Sequence, residues 1–216
     1  MKLLVRLPRR AVAGLAAALL AFAALPASAQ RTLLVLGDSL SAAYGLATSQ
    51  GWVSLLGERI ARDGLDWRVV NASVSGETTA GGLRRLPEDL KRHRPNLVVI
   101  ALGANDGLRG QPVAAMRANL EEMIRLARAA RADPVLVGLM IPPNYGIDYA
   151  REFRELYPQL ARKARVPLVP FLLDGVAERR DLFLPDQLHP SAEAQPRILA
   201  NVWPTVEPLL KGAAKR

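Results

Sequence analysis

Gly37-Asp38-Ser39-Leu40 stands directly after an apolar run at 32–36, so a strand read over that run delivers a serine to its carboxyl end. A serine hydroxyl is a poor nucleophile until a base removes its proton. The chain holds only two histidines, His93 and His189. His93 lies in the basic run Lys91-Arg92-His93-Arg94, ahead of a later strand and so at the opposite edge of a parallel sheet, where it reads as the solvated end of a helix. His189 has Asp186 three residues before it in Asp186-Gln187-Leu188-His189-Pro190. One loop turn brings that carboxylate to one ring nitrogen and leaves the other for Ser39. Taken alone, this spacing is common in proteins. An activated serine also needs donors for the negative oxygen that forms on a carbonyl under attack. Asn105 in Gly103-Ala104-Asn105-Asp106 offers a side-chain amide, and Gly76 in Ser73-Val74-Ser75-Gly76-Glu77-Thr78 offers an N–H that no side chain obstructs. Each of these stretches, by itself, also reads as a plain turn.

The four signals gain force from the elements that position them. Short β-rich apolar runs alternate with longer segments of helical period, the pattern of a parallel sheet covered by helices on both faces. Strands are expected at 32–36, 67–71, 97–102, 135–139 and 168–171, each apolar enough to be buried on both faces. Helical spacing joins Trp52, Val53, Leu55, Leu56 and Ile60, then Leu83, Leu86 and Leu90, then Met116, Leu120, Met123, Ile124 and Ala127 behind Pro112 at a first helical position. Two further helices are expected at 148–164 and 196–210, with Pro158 breaking or kinking the first of them. In this arrangement Ser39, Gly76 and Asn105 follow three consecutive strands on the same sheet edge, and Asp186 and His189 come after the fifth. The turn-rich loops Gly110-Gln111-Pro112 and Ile141-Pro142-Pro143-Asn144-Tyr145-Gly146 fall on that carboxyl edge, where open α/β sheets bind ligands.

Composition narrows the setting. Lys2, Arg6, Arg9 and Arg10 precede an apolar stretch from 11 to 25, and Ala27-Ser28-Ala29 supplies small residues for a cleavage site, so residues 1–29 are expected to be an export leader. Residues 30–216 then form one domain, long enough to bury about 70% of the unfolded chain's surface. Loss of the leader's basic residues lowers the formal charge from +9 to about +5, with arginines scattered among acids as on solvated helix faces. No nucleic-acid partner is expected. The absence of cysteine leaves the fold to hold without disulfides in a periplasmic or secreted setting. With no cysteine and two histidines far apart, a zinc site is disfavoured. No serine carries glycine two residues away on both sides, and neither glycine-rich phosphate motif occurs after a strand, so an α/β-hydrolase elbow and a nucleotide site are disfavoured too.

Ser39 in its Gly37-Asp38-Ser39-Leu40 block, Gly76, Asn105 and His189 together resemble the GDSL, or SGNH, hydrolase family, and the likeness spans most of the chain beyond the leader. The segments 141–146 and His189-Pro190-Ser191-Ala192-Glu193-Ala194-Gln195-Pro196 are similar to its periplasmic subgroup of multifunctional thioesterase I, lysophospholipase and arylesterase enzymes. That subgroup often has a glycine soon after the aspartate, where this chain has Gln187 and Leu188. The resemblance implies a three-layer flavodoxin-like α/β fold, no cofactor, and acyl transfer through an acyl-enzyme on Ser39. His189 would be the base, Asp186 its anchor, and the N–H groups of Ser39 and Gly76 with the Asn105 amide the oxyanion hole.

Asp38, Leu108, Pro142 and Tyr145 are the residues expected near the substrate. Asp38 is read mainly as a brace for the Ser39 loop, and the others, with Ala104, Pro143 and Ile147, as an apolar acyl groove or as ordinary loop packing. The expected partners are a small ester or thioester and, transiently, a lipid surface, for a protein acting as a monomer. The rival from another class is a non-catalytic binding protein on the same fold, since fold alone does not give function. A fluorophosphonate probe separates the two: it is expected to label the exported protein at Ser39, on a species whose mass begins at Gln30, and to leave Ser39→Ala unlabelled. An unlabelled wild type favours the binder.

Overall fold

In a computed structural model, which describes residues 30–212, five strands form one parallel sheet in the order β2-β1-β3-β4-β5. They are β1 (Arg31–Gly37), β2 (Trp67–Asn71), β3 (Leu97–Ala101), β4 (Asp133–Val137) and β5 (Leu168–Val169). The export leader expected over residues 1–29 lies outside the described residues. Six helices accompany the strands: α1 (Trp52–Arg62), α2 (Thr79–His93), α3 (Ala104–Leu108), α4 (Val113–Ala129), α5 (Ile147–Ala164) and α6 (Gln195–Gly212). Among the described residues no helix is long and apolar enough to cross a membrane.

The strand order dictates the layers. Crossovers between parallel strands are right-handed, so the step from β1 to β2 in one direction puts α1 on one face. The later steps in the other direction put α2, α4 and α5 on the opposite face. The packing agrees: α1 lies against α6, while α2 packs on α4 and α4 on α5. The three-layer α/β architecture expected from the sequence is therefore the one observed.

The centre of the sheet is dry. Leu33 to Leu36 of β1 and all of β3 are buried, as strands covered on both faces must be. β2 departs from the expectation. It is an edge strand, with Arg68 and Asn71 exposed and only Trp67 fully buried. β5 is also at an edge and shorter than expected, its ladder ending at Val169. Pro158 does not break α5, which runs unbroken from Ile147 to Ala164. The carbonyl that proline leaves without a partner belongs to exposed Arg154, where water can serve it. Pro87 in α2 and Pro204 and Pro208 in α6 likewise occupy exposed positions. Pro112 precedes α4 as its cap instead of opening its first turn.

What this topology does for function is to create a switch point. β1 and β3 are neighbours, with Gly37 paired to Ala101, but the chain leaves them in opposite directions. In open sheets of this order the crevice outside such a pair of strand ends is the ligand site.

Candidate active site

Two loops meet across that crevice. After β1 the chain turns at Asp38, whose carbonyl accepts from the N–H groups of Ser41 and Ala42, so that Ser39 stands at the turn's apex. The second loop is a small hairpin in which Leu184 N–H donates to His189 O at 2.8 Å and Ser191 N–H to Leu182 O at 2.7 Å. At its tip Asp186 Oδ1 accepts from the N–H groups of Leu188 and His189, at 2.9 and 3.0 Å. The other oxygen lies 2.7 Å from His189 Nδ1, and His189 Nε2 lies 2.9 Å from Ser39 Oγ. The three hydrogen bonds, the backbone N–H of His189 foremost, hold the Asp186 carboxyl down to about 2. An ionised carboxylate only accepts, so the imidazole proton lies on Nδ1, and the Nε2 lone pair faces the serine hydroxyl.

Gln187 turns that tip with φ of 56°, the left-handed conformation that glycine adopts freely. Here the glutamine takes the shape that glycine would supply, and the aspartate and histidine still meet.

Facing Ser39 are the other expected donors. The N–H groups of Ser39 and Gly76 donate to no other protein group among the described residues. Gly76 has φ of 78°, which makes glycine the natural residue there. Asn105 sits in the first turn of α3 rather than in a plain turn. Its Nδ2 donates to Glu77 O at 3.0 Å and faces Asp38 Oδ2 at 3.4 Å. The longer contact is the weaker of the two, so one amide hydrogen is available to a substrate oxygen.

Asp38 is placed differently from a substrate contact. It is only 1% exposed and does not line the cavity. Its Oδ1 accepts from Leu40 N–H at 3.0 Å, bracing the turn that carries Ser39. Burial pushes its carboxyl up to about 7, against the Leu40 N–H and the Asn105 amide, which favour the charged form. The carboxylate of Asp106 adds to the rise.

The cavity in front of Ser39 has a volume of about 570 Å³, in the range of small-molecule sites. Ser39, Gly76, Asn105 and His189 line its polar end, and Leu108 and Pro142 are among its apolar walls, as expected. Tyr145 and Ile147 are not; both are exposed outside it. Met140, Phe171, Phe183 and Leu188 take the place assigned to them. Nothing in the local sequence marks these residues as cavity walls; Phe171 falls at the end of the expected fifth strand and Leu188 in the block of Asp186 and His189. His93 ends α2 at the amino-terminal edge of β3, far along the chain from either loop. Among the described residues no three His, Cys, Asp or Glu side chains gather as metal ligands.

Trp52 and Gln195 hold the two loops together. Trp52, at the start of α1, donates its indole N–H to Leu40 O at 3.1 Å, and its backbone N–H to Gln195 Oε1 at 3.0 Å. Gln195, 3% exposed, donates in turn to the carbonyls of Pro190 and Ser191. The Ser39 turn and the His189 hairpin thus share one buried link. From sequence Trp52 reads as a core residue and Gln195 as part of a motif, and neither pattern discloses the link.

A model of the GDSL-like Lipase/Acylhydrolase family matches residues 35–196 of the chain. Esterase TesA of Pseudomonas aeruginosa is 53% identical over 183 residues, covering 85% of this chain and 91% of its own. The Thioesterase 1/protease 1/lysophospholipase L1 of Escherichia coli strain K12 is 40% identical over 188 residues, covering 85% of this chain and 87% of its own. Among solved structures, the esterase EstA from Pseudoalteromonas sp. inhibited by monoethylphosphonate superposes with a TM-score of 0.80 at 41% identity, covering 84% of this chain and 99% of that one.

The buried base of the site generates a stability prediction. Asp106, 4% exposed, accepts from Thr79 N–H at 2.8 Å and Thr79 Oγ at 2.5 Å, tying the loop of Asn105 to the segment that begins just after Gly76. Asp106→Ala leaves two buried donors without their acceptor and is expected to lower unfolding stability by about 2–4 kcal/mol. Urea denaturation with an unchanged m-value checks this, and a loss within 0.5 kcal/mol, roughly that of a surface substitution, contradicts it.

Proposed function

This chain belongs to the GDSL-like lipase/acylhydrolase family and is a carboxylic ester hydrolase, and from that premise we propose that Ser39 is its nucleophile and His189 its general base. The observation that carries this reading is the 2.9 Å approach of Ser39 Oγ to a ring nitrogen whose opposite nitrogen is held by Asp186. A pure binding protein has no use for that relay.

In the mechanism, Ser39 Oγ attacks the carbonyl carbon as its proton passes to His189 Nε2. The carbonyl electron pair moves to oxygen, which meets the N–H groups of Ser39 and Gly76 and the amide of Asn105, turning from Asp38. Collapse of the tetrahedral species breaks the bond to the alcohol or thiol, which leaves with the proton from His189. Water then repeats the sequence on the acyl-enzyme and releases the acid. Asp186 keeps its charge down to about pH 2, so it stays an acceptor for the imidazole N–H throughout the cycle.

The apolar cavity supports aryl esters and medium-to-long acyl esters over an acetylated sugar. Acyl thioesters and lysophospholipids are proposed substrates too, in line with the name of the Escherichia coli relative. Every group of the proposed site comes from one chain, so the enzyme is proposed to act as a monomer. Residues 1–29, with their basic start and apolar run, are proposed to direct export to the periplasm or beyond.

Transient contact with lipid is also proposed. The large hydrophobic residues left exposed among the described residues are Tyr44, Val74, Met140, Tyr145, Ile147 and Leu188. All six lie on segments that follow the carboxyl ends of strands, and Tyr44, Met140 and Leu188 among them line the cavity. An apolar rim of that kind marks an interaction site.

Two measurements test these readings. Asn105→Ala is expected to lower kcat on a p-nitrophenyl ester by about 100- to 1,000-fold, about 3–4 kcal/mol of transition-state stabilisation, with the fold intact. Wild-type turnover would remove Asn105 from the mechanism. Ile147→Glu is expected to reduce cosedimentation with phospholipid vesicles and turnover of lysophospholipid presented in them, while hydrolysis of p-nitrophenyl butyrate is kept. Unchanged vesicle binding would sink the lipid contact.

A further inference from the structure

Tyr44 follows Ser39 by five residues and stacks on the imidazole of His189, with ring centroids 4.2 Å apart and planes inclined by 34°. It is 49% exposed, so burial in a core does not explain its position. The backbone around it is costly. Ala43 and Gly45, on either side, both have left-handed φ, 57° and 74°. Alanine adopts that conformation only against steric resistance. Such strain persists where the surroundings enforce it, and it concentrates at functional sites.

Both flanks of Tyr44 are wedged. Ala43 is buried, and a Cβ at Gly51 would stand 2.7 Å from its own Cβ, so the start of α1 leaves it no room to move outward. A Cβ at Gly45 would stand 2.6 Å from Leu184 Cδ1. Leu184 belongs to the hairpin of the histidine, its N–H donating to His189 O at 2.8 Å. The turn that carries Ser39 is thus pressed against the hairpin that carries His189, and Tyr44 is aimed at the imidazole between them.

We propose that Tyr44 is a positioning residue for His189, its ring holding the imidazole in the plane shared by Asp186 and Ser39 and stabilising the imidazolium that forms during attack. The inference rests on Ser39 and His189 being nucleophile and base. When the Ser39 O–H bond breaks and the proton joins Nε2, the imidazole becomes a cation, and the electron pair left on Oγ forms the new bond to carbon. An aromatic face attracts a cation within about 6 Å of its centre more strongly than it attracts the neutral ring. The stack therefore strengthens as the transition state is approached, which raises kcat and leaves ground-state binding little changed. The other charged or titratable groups near the imidazole are Asp186 on its own hairpin, Glu178 lining the same cavity, Arg109 bound to Gly76 O, and buried Asp38 behind the serine. Of these, Asp186 bonds to the ring directly.

The test compares Tyr44→Leu and Tyr44→Phe in the full protein, using p-nitrophenyl acetate so that the acyl pocket stays nearly empty. Leucine keeps the imidazole covered but lacks the aromatic face and the hydroxyl, and phenylalanine lacks the hydroxyl alone. Tyr44→Leu is expected to lose about 3- to 30-fold in kcat with KM within about twofold of wild type, at an unchanged melting temperature. Loss of the cation's stabilisation lets the imidazole shed its proton more readily, so the acid limb of the kcat profile is expected to move down by about 0.5–1 pH unit. Tyr44→Phe, which keeps the ring, is expected to restore both kcat and the limb.

An unmoved acid limb in Tyr44→Leu overturns the proposal, as does a loss confined to KM, which would leave Tyr44 only its place in the cavity wall. A Tyr44→Phe variant as impaired as Tyr44→Leu also overturns it. Fluorophosphonate labelling of wild-type Ser39 keeps the premise separate: labelling with no effect of Tyr44→Leu defeats this inference alone, whereas no labelling defeats the serine mechanism beneath it.

Discussion

Ser39 and His189 stand 150 positions apart in the chain, and their 2.9 Å contact exists only because two loops are held against each other. Neither loop can be placed by its own hydrogen bonds. The turn after β1 and the hairpin before α6 are joined through Trp52 and Gln195, whose amide reaches the start of α1 on one side and the carbonyls of Pro190 and Ser191 on the other. A shift of about 1 Å in either loop would stretch this contact beyond hydrogen-bond range, and for the proposed proton transfer misplacement on that scale is costly. The rest of the site, including the donors of the proposed oxyanion hole, is useful only while this contact holds.

Beneath the contact lies a layer of buried polar groups that a folding argument alone would disfavour. Asp38 is buried enough that its carboxyl is pushed up to about 7, and Asp106 lies close behind it. Each is satisfied by backbone and side-chain donors: Leu40 N–H for the first, Thr79 for the second. Buried polar groups arranged this way remove freedom from the loops they join, because any displacement strands a donor in a dry environment. Rigidity at the strand ends is what a preorganised set of donors requires.

Much of this was legible beforehand. The alternation of short apolar runs and amphipathic segments identifies a parallel sheet with helices on both faces, and the positions of Ser39, Gly76 and Asn105 after the first three strands and of His189 after the fifth place them on one edge. The errors are of one kind. Strand β2 reads as fully buried although it lies at the edge, because its Val69 and Val70 look the same in either place. Pro158 reads as a helix breaker although α5 continues through it, since exposure of the freed carbonyl is a tertiary fact. Tyr145 and Ile147 read as pocket walls although they face outward, and Met140, Phe171 and Phe183 fill the wall instead. Apolar loop residues are interchangeable in sequence until packing decides which way each one points.

By itself the sequence determined the chemistry available: one serine after a first strand, one histidine with an aspartate within a turn of it, and an asparagine and a glycine after neighbouring strands. Local spacing is enough for that, because side-chain type and strand alternation are local properties. Only the tertiary structure decided that these groups meet, that Asp38 lies buried outside the cavity, that Asn105 lies in the first turn of a short helix, and that Tyr44 covers the imidazole. Those outcomes depend on strand order, on crossover handedness and on contacts such as Gly45 with Leu184, which join segments remote in the chain. Distances of that kind are set by how whole layers pack, and no run of neighbouring residues encodes them.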